Sequence, residues 1–196
     1  MSQPAMPDLP RLLAETGALL EGHFRLSSGL HSRAYVQCAR LLEHPANARA
    51  IGAALASRIE SWKPQRIVAP ALGGLIIGYT VAEALDIPMI FTERKEGAMS
   101  LRRGFSLGQR VRAAIVEDVV TTGKSTRETA AVIEQLGGEI AGFASILNRS
   151  GRDNPFGAPY EALLAMALET WAETDCPLCR GGRPIDAPGS RFSGGA

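Results

Sequence analysis

Short runs of hydrophobic residues alternate along the chain with longer stretches in which hydrophobic residues recur every three or four positions. The runs RIVAPA, IPMIFTER, RVRAAIVED and EIAGFASILNR are typical of buried β-strands. The stretches HPANARAIGAALASRIESW, GGLIIGYTVAEALD and KSTRETAAVIEQLGG are typical of helices with one buried face. Strands that alternate with helices in this way predict an α/β fold with a central, mostly parallel sheet flanked by helices.

The two ends of the chain differ from this middle part. PRLLAETGALLE predicts a short amphipathic helix, and HFRLSSGLHSRAYVQC is irregular at first and strand-like afterwards. No repeat or linker divides the sequence, so we expect a single domain over residues 1–180. Residues 181–196 are rich in Gly, Pro and Ser, and this tail is predicted to be disordered.

The composition narrows the classes of function. Of 196 residues, 45% are hydrophobic and 21% are charged, which is typical of a globular protein. The net charge of +1 gives no general attraction to nucleic acid or to a membrane, so any anion site must be built locally. The longest apolar stretch is shorter than the roughly 20 residues of a membrane-spanning helix. Three cysteines without an export signal favour a reducing cytoplasm.

One segment, IVEDVVTTGKST at residues 115–126, combines two kinds of chemistry. A strand over Arg112–Val116 is predicted to end at Glu117 and Asp118, and a helix is predicted to begin near Lys124 or Ser125. Because ligands bind at the carboxyl ends of parallel strands, the segment lies where a site is expected. The nucleotide P-loop motif also ends in GKST, but it requires glycine at the position of Asp118, which argues against that motif.

A ligand with two parts explains the segment better. Backbone N–H groups and hydroxyls between Thr121 and Ser125 can hold a phosphate at a helix N-terminus, and Gly123 permits the tight turn. The neighbouring carboxylates can accept the hydroxyl groups of a ribose, or bind a phosphate-bound Mg²⁺. Ribose 5-phosphate offers a phosphate for the turn and hydroxyl groups for the two carboxylates. The alternative is an acidic strand end followed by an ordinary helix with a threonine cap.

The segment AAIVEDVVTTGKS resembles the phosphoribosyl-diphosphate (PRPP) signature of the type I phosphoribosyltransferases. The further segments GALLEGHFRLSSGLHS, APALGGLIIG, ERKEG, LRRGF, ILNRSG and CPLC are similar to the short bacterial orotate phosphoribosyltransferases. This resemblance implies a small hood from the N- and C-terminal segments over the sheet. It also implies phosphoribosyl transfer from PRPP to orotate in UMP biosynthesis, with Mg²⁺ carried by PRPP rather than bound directly by the protein, and a homodimer with shared active sites.

The resemblance also implies roles for individual residues. Glu117 and Asp118 would bind the ribose hydroxyls, Asp118 being catalytic, while Thr121 and Arg149 would contact orotate. The loop after Glu93 would be mobile when empty and would carry the catalytic pair Arg94 and Lys95. The rest of the PRPP site would comprise Val119, Val120, Thr121, Thr122, Gly123, Lys124 and Ser125, and the loop facing pyrophosphate would comprise Ala71, Leu72, Gly73 and Gly74, with a cis peptide bond between Ala71 and Leu72.

The sequence departs from the family pattern at several positions. Gly73 stands where the family often carries lysine, which leaves the pyrophosphate loop with no charge of its own. Ser27, near the N-terminus, stands where longer relatives carry another lysine. Arg102 and Arg103 either replace the lysine and histidine that longer relatives have in the mobile loop, or are only hairpin charges. Two other functions stay open: a type I transferase for a purine base, and a non-catalytic regulator that senses PRPP.

The cysteine pair in CPLC is a separate feature. A structural zinc needs four ligands, and the chain has no second C-x-x-C pair. Cys38 and a histidine could complete a site with Cys176 and Cys179 only if the chain folds back on itself, or across a dimer. A redox role is less favoured, because the thioredoxin context of the motif is absent.

Overall fold

A six-stranded sheet forms the centre of the computed structural model, which describes residues 6–26 and 28–188. The strand order is β5-β4-β3-β6-β7-β8. Neighbouring strands are parallel, except that β5 runs antiparallel to β4. The strands are β3 (Arg66–Pro70), β4 (Met89–Lys95), β5 (Ala98–Leu101), β6 (Arg112–Val120), β7 (Glu139–Asn148) and β8 (Tyr160–Ala165).

Helices cover both faces of this sheet. Ala114 and Val116 of β6 pack in one hydrophobic cluster with α3 (Pro45–Ile59) and α4 (Gly74–Leu85). Their neighbours Ala113 and Ile115 pack in a second cluster with α5 (Lys124–Gln135). Because successive side chains of a strand point to opposite faces, the uniformly apolar run of β6 matches a strand buried on both sides. The predicted α/β class is confirmed.

A smaller sheet forms the hood. β1 (Leu19–Arg25) and β2 (His31–Val36) are antiparallel, and β2 also pairs with β9 (Thr170–Trp171). The segment predicted to be irregular and then strand-like therefore forms two strands. The remaining elements are three short helices, α1 (Leu9–Glu15), α2 (Cys38–Leu42) and α6 (Pro177–Arg180), and two 3-10 turns, Glu60–Trp62 and Glu173–Asp175. None of the helices among residues 6–26 and 28–188 is long and apolar enough to cross a bilayer.

The first residues of the C-terminal segment return to β1 in this structure. Asp186 lies beside Phe24 in a parallel bridge, its N–H donates to the His23 carbonyl at 2.8 Å, and its carbonyl accepts from Arg25 N at 2.8 Å. The chain therefore continues in an ordered path past residue 181, because these backbone groups find partners on β1. The remaining tail, residues 189–196, lies outside the described residues, as does Ser27.

Two strand boundaries also differ from prediction. β6 runs through Val120, so Glu117 and Asp118 lie inside the strand rather than after it, held by pairing with β7. Most of the predicted mobile loop after Glu93 is a hairpin in which Arg94 pairs with Met99 and Lys95 with Ala98. Its turn residues, Glu96 and Gly97, have φ values of 50° and 84°, as a two-residue hairpin turn requires. β8 had no counterpart in the predicted elements.

Candidate active site

The two acids of the motif lie side by side near the carboxyl end of β6. Oε1 of Glu117 accepts from Asp118 N at 3.2 Å, and Oδ1 of Asp118 accepts from Val119 N at 2.8 Å. Burial raises the pKa of Glu117 well above its ordinary value, and the adjacent Asp118 carboxyl raises it further. Burial also raises the pKa of Asp118, against the opposing effect of its hydrogen bonds. The buried Glu117 carboxyl and the half-buried Asp118 carboxyl are poised to accept hydroxyl donors or a metal-bearing ligand.

The loop between β3 and α4 lies directly against these acids. A Cβ at Gly73 would lie 2.7 Å from both carboxylate oxygens of Asp118. At Gly74 a Cβ would lie 2.9 Å from the Val116 carbonyl oxygen and 3.3 Å from Oε1 of Glu117. Any side chain added at Gly73 would therefore meet the Asp118 carboxylate in this arrangement. The peptide bond between Ala71 and Leu72 is cis, as the resemblance implied.

The phosphate half of the motif forms the turn from β6 into α5, which begins at Lys124 as predicted. Gly123 has φ 68°, and a Cβ there would lie 2.8 Å from the Phe156 ring. Nη1 of Arg127 donates to the Pro155 carbonyl at 3.2 Å, and Nη2 donates to the Thr122 carbonyl. The first turn of a helix has N–H groups without intrahelical partners, so this braced turn can bind an anion.

Neither Arg127 nor Phe156 was predicted to belong to the site. Arg127 lies one helical turn after Gly123, so the sequence spacing alone could have placed it beside the motif. Phe156 lies in the loop before β8 and stacks on Phe143 with ring centroids 4.3 Å apart. Its contact with Gly123 depends on how that loop folds over α5, so no local pattern could have indicated it.

Arg149 follows β7 at the same edge of the sheet. Its N–H donates to the Val120 carbonyl at 2.7 Å, and its Nε is buried without a hydrogen-bond partner among the described residues. Burial lowers its pKa, while the nearby Tyr35 and Cys38 raise it. Tyr35 in turn has a pKa raised by burial and by Asp118, and lowered by Arg149. Tyr35 is therefore within electrostatic range of both Arg149 and Asp118, and the buried Nε of Arg149 lacks an acceptor among the described residues.

The basic residues of the hairpin have other partners in this conformation. Arg94 forms an ion pair with Glu128 of α5 and donates to the Gly97 carbonyl at 2.6 Å. Lys95 is exposed, 3.7 Å from Glu96. Arg102 and Arg103 lie 3.3 and 3.0 Å from the Glu93 carboxylate. Within one chain, therefore, none of these contacts brings Arg94 or Lys95 to Glu117 or Asp118.

The remaining predicted residues line the same edge. Val119 and Val120 continue β6 beyond the acids, while Thr121 and Thr122 are exposed on the turn. Oγ1 of Thr122 accepts from Lys124 N at 3.3 Å, and Ser125 lies in the first turn of α5. The motif, the glycine loop and Arg149 are thereby brought to one edge of the sheet, as the strand order predicts.

Comparisons with known proteins agree with this arrangement. The family model for the phosphoribosyl transferase domain matches residues 37–158. The chain is 45% identical over 183 residues to an orotate phosphoribosyltransferase of Thermotoga petrophila, covering 93% of this chain and 98% of that one. It is 46% identical over 186 residues to an orotate phosphoribosyltransferase of Carboxydothermus hydrogenoformans, covering 94% and 97%.

Solved structures support the fold. Orotate phosphoribosyltransferase from Aeropyrum pernix matches with a TM-score of 0.65 and 24% identity, over 81% of this chain and 93% of that one. UMP synthase of Leishmania donovani matches with a TM-score of 0.71 and 24% identity, over 81% of this chain and 36% of that one. Together with the two close sequence relatives, these matches lead to one conclusion. The chain belongs to the phosphoribosyltransferase family and, within it, to the orotate phosphoribosyltransferases.

Proposed function

We propose that this protein transfers the 5-phosphoribosyl group from PRPP to orotate, which gives orotidine 5′-phosphate and pyrophosphate in pyrimidine biosynthesis. The observation that carries the assignment is the buried Nε of Arg149, which has no hydrogen-bond partner among the described residues. Tyr35 interacts electrostatically with both Arg149 and Asp118. A guanidinium with a free N–H suits a planar anion, and orotate offers a carboxylate and carbonyl oxygens. Uncharged purine bases carry no such carboxylate.

The two halves of the motif divide PRPP between them. The turn at Thr121–Ser125 and the first turn of α5 bind the 5-phosphate through backbone N–H groups and hydroxyls. Glu117 and Asp118 accept hydrogen bonds from the ribose hydroxyls, which stabilises the charged forms of two adjacent carboxyls whose pKa values are raised by burial. Anchoring both ends of the ribose fixes its C1 relative to the orotate nitrogen, and such positioning accounts for much of the rate of group transfer.

The loop Ala71–Gly74 provides the pyrophosphate side. Gly73 and Gly74 have no side chains, so backbone groups can approach the ligand beside Asp118. Mg²⁺ is carried by PRPP rather than bound directly by the protein, and the carboxylates of Glu117 and Asp118 suit a ligand that brings such an ion with it. When bound, Mg²⁺ neutralises charge on the departing pyrophosphate. Positive charge that develops at the ribose C1 is stabilised by the two neighbouring carboxylates.

A homodimer with shared sites is part of this proposal. Leu72 is 80% exposed and Tyr79 is 65% exposed, and Ile76 lies between them on the same face of α4. This apolar stripe begins in the pyrophosphate loop and suits an interface with a second copy of the chain. Lys95 and Arg94, at the hairpin tip, then reach the pyrophosphate of the neighbouring subunit once Arg94 leaves Glu128.

We also propose a cytoplasmic location, and the free thiols of all three cysteines are compatible with a reducing compartment. The base specificity is tested by assaying PRPP with orotate, uracil, hypoxanthine, guanine and adenine in parallel. The proposal predicts turnover with orotate at least about 100-fold above every other base. Turnover with a purine would assign the chain to another type I transferase, and PRPP binding without turnover of any base would assign it to the regulators.

A further inference from the structure

Four side chains that the proposed reaction does not use converge within the hood. His23 lies on β1 and His31 begins β2, while Cys176 caps the N-terminus of α6 and Cys179 lies within that helix. One nitrogen or sulfur atom from each residue lies within 4.8 Å of all the others. His23, His31 and Cys176 are buried. The chain thus folds back to bring two histidines to the cysteine pair, whereas Cys38, the other cysteine considered from sequence, is not among the four.

The distances match one tetrahedral metal. His23 Nε2 lies 3.1 Å from His31 Nδ1 and 3.5 Å from Cys176 Sγ. Cys179 Sγ lies 3.7 Å from His23 Nε2 and 3.2 Å from His31 Nδ1. A tetrahedral zinc with ordinary bond lengths separates two nitrogens by about 3.3 Å and a nitrogen from a sulfur by about 3.6 Å. The measured separations fall around these values.

The orientation of His23 supports the same arrangement. Its Nδ1 lies 2.8 Å from the Arg183 carbonyl oxygen, which can only accept, so this nitrogen carries the proton. Nε2 is then the unprotonated nitrogen and faces the cluster. A backbone carbonyl that fixes the tautomer of a histidine is the usual second partner of a histidine that binds a metal.

The C-terminal segment has little else to hold it. Between Ala172 and Ala187 only Cys176 is buried, so almost no hydrophobic area anchors this part of the chain. Nevertheless it follows a defined path, in which Arg183 N donates to the Leu178 carbonyl at 3.0 Å and Asp186 pairs beside β1. All three cysteines are free thiols, so no disulfide fastens it.

We propose that His23, His31, Cys176 and Cys179 bind one Zn²⁺ ion that fastens the C-terminal segment to the hood. Four protein ligands close the coordination shell, which is typical of a structural zinc and leaves no position for a substrate. A [2Fe–2S] cluster would place the histidines on one iron and the cysteines on the other, and so separate nitrogen from sulfur by more than the observed 3.2 to 3.7 Å. β2 continues from His31 to Tyr35, so the zinc also steadies one wall of the proposed base site.

Metal analysis of the purified full chain tests the proposal, and the sequence provides matched controls. The three cysteines and three histidines comprise the four ligands plus Cys38 and His44. We expect about one zinc per chain in the wild type, in Cys38→Ala and in His44→Gln. Cys176→Ser, Cys179→Ser and His31→Gln should each lose most of it. Equal zinc content in the ligand and control variants would overturn the proposal.

Two further measurements use the wild type alone, so they do not depend on whether any variant folds. Replacement of zinc by Co²⁺ should give the strong visible absorption of a tetrahedral cobalt ion together with an ultraviolet sulfur-to-cobalt band. Removal of zinc by a strong chelator should lower the thermal midpoint by about 5 °C or more, and added Zn²⁺ should restore it. A metal-free wild type that neither binds added Zn²⁺ nor shows the cobalt bands would contradict the proposal, whatever its transferase activity.

Discussion

Gly73 and Asp118, on different elements, touch so closely that a Cβ on Gly73 would lie 2.7 Å from both carboxylate oxygens of Asp118. Real Cβ atoms do not approach other atoms to that distance, so a side chain at Gly73 must displace either the loop or the acid. Gly73 has φ −56°, which any residue can adopt. The requirement for glycine is therefore one of space beside the acid and not of backbone conformation.

Gly73→Ala should consequently lower kcat/KM for PRPP by about 100-fold, because a shift of roughly 1 Å in a positioned group has that effect. Gly181→Ala is the matched control. Gly181 also has a negative φ, −80°, and its added Cβ would lie 3.4 Å from the nearest atom, an ordinary contact. Steady-state kinetics with PRPP varied would measure both. Equal activity of the two variants would show that the loop does not work against Asp118.

The paired acids predict opposite effects on activity and stability. Glu117→Gln and Asp118→Asn should each reduce turnover by about 100-fold, since the ribose hydroxyls lose their acceptors. Both variants should nevertheless be more stable than the wild type near neutral pH, because each removes a buried carboxyl with a raised pKa. Glu21→Gln, at an exposed position of β1, is the control and should change neither property.

The pH dependence has a definite sign. The folded chain holds protons on these carboxyls more tightly than the unfolded chain, so their contribution to stability is full below the ordinary carboxyl pKa of about 4. It is lost as pH rises through the raised folded-state pKa. Thermal midpoints measured from pH 4 upward should show the advantage of Glu117→Gln growing with pH. An advantage that shrinks with pH would mean that Glu117 has a lowered pKa.

Arg149 should govern recognition of the base. Arg149→Met should raise KM for orotate by at least about tenfold and change KM for PRPP much less, since the buried guanidinium interacts with Tyr35. Arg152→Met, at an exposed position in the loop that follows, is the control. If both variants bind orotate as the wild type does, the unpaired Nε of Arg149 serves another ligand.

Subunit mixing tests the hairpin. Lys95→Ala and Asp118→Asn chains should each be nearly inactive alone, because one lacks the charge offered to pyrophosphate and the other lacks a ribose acceptor. A mixed dimer should regain activity, with one of its two sites intact. Mixed dimers that form without any regain of activity would place Lys95 in its own subunit, or outside the reaction.

The sequence patterns correctly predicted the elements that depend mainly on the burial pattern and turn residues of their own segment. The apolar run of β6 and the start of α5 at Lys124 follow from burial on both faces of a sheet and from the turn at Gly123. The acids nevertheless lie inside β6, because pairing of Glu117 with Ser145 on β7 extends the strand beyond its apolar run.

Long-range contacts account for what the sequence did not indicate. His23 and Cys176 are separated by 153 positions, and only the return of the C-terminal segment to β1 brings them together. Likewise, the polar residues around Lys95 did not indicate the pairing of β4 with β5 or the ion pair between Arg94 and Glu128. The charges were visible in the sequence, but their partners were not.

The most direct test of the proposed reaction follows both products in one sample. With PRPP, orotate and Mg²⁺, orotate loss and pyrophosphate release should proceed in a ratio of about one to one, and orotidine 5′-phosphate with pyrophosphate should regenerate orotate. Asp118→Asn, as the internal comparison, should slow both to the same extent. Pyrophosphate release without loss of orotate, or no consumption of either substrate by the folded wild type, would contradict the account.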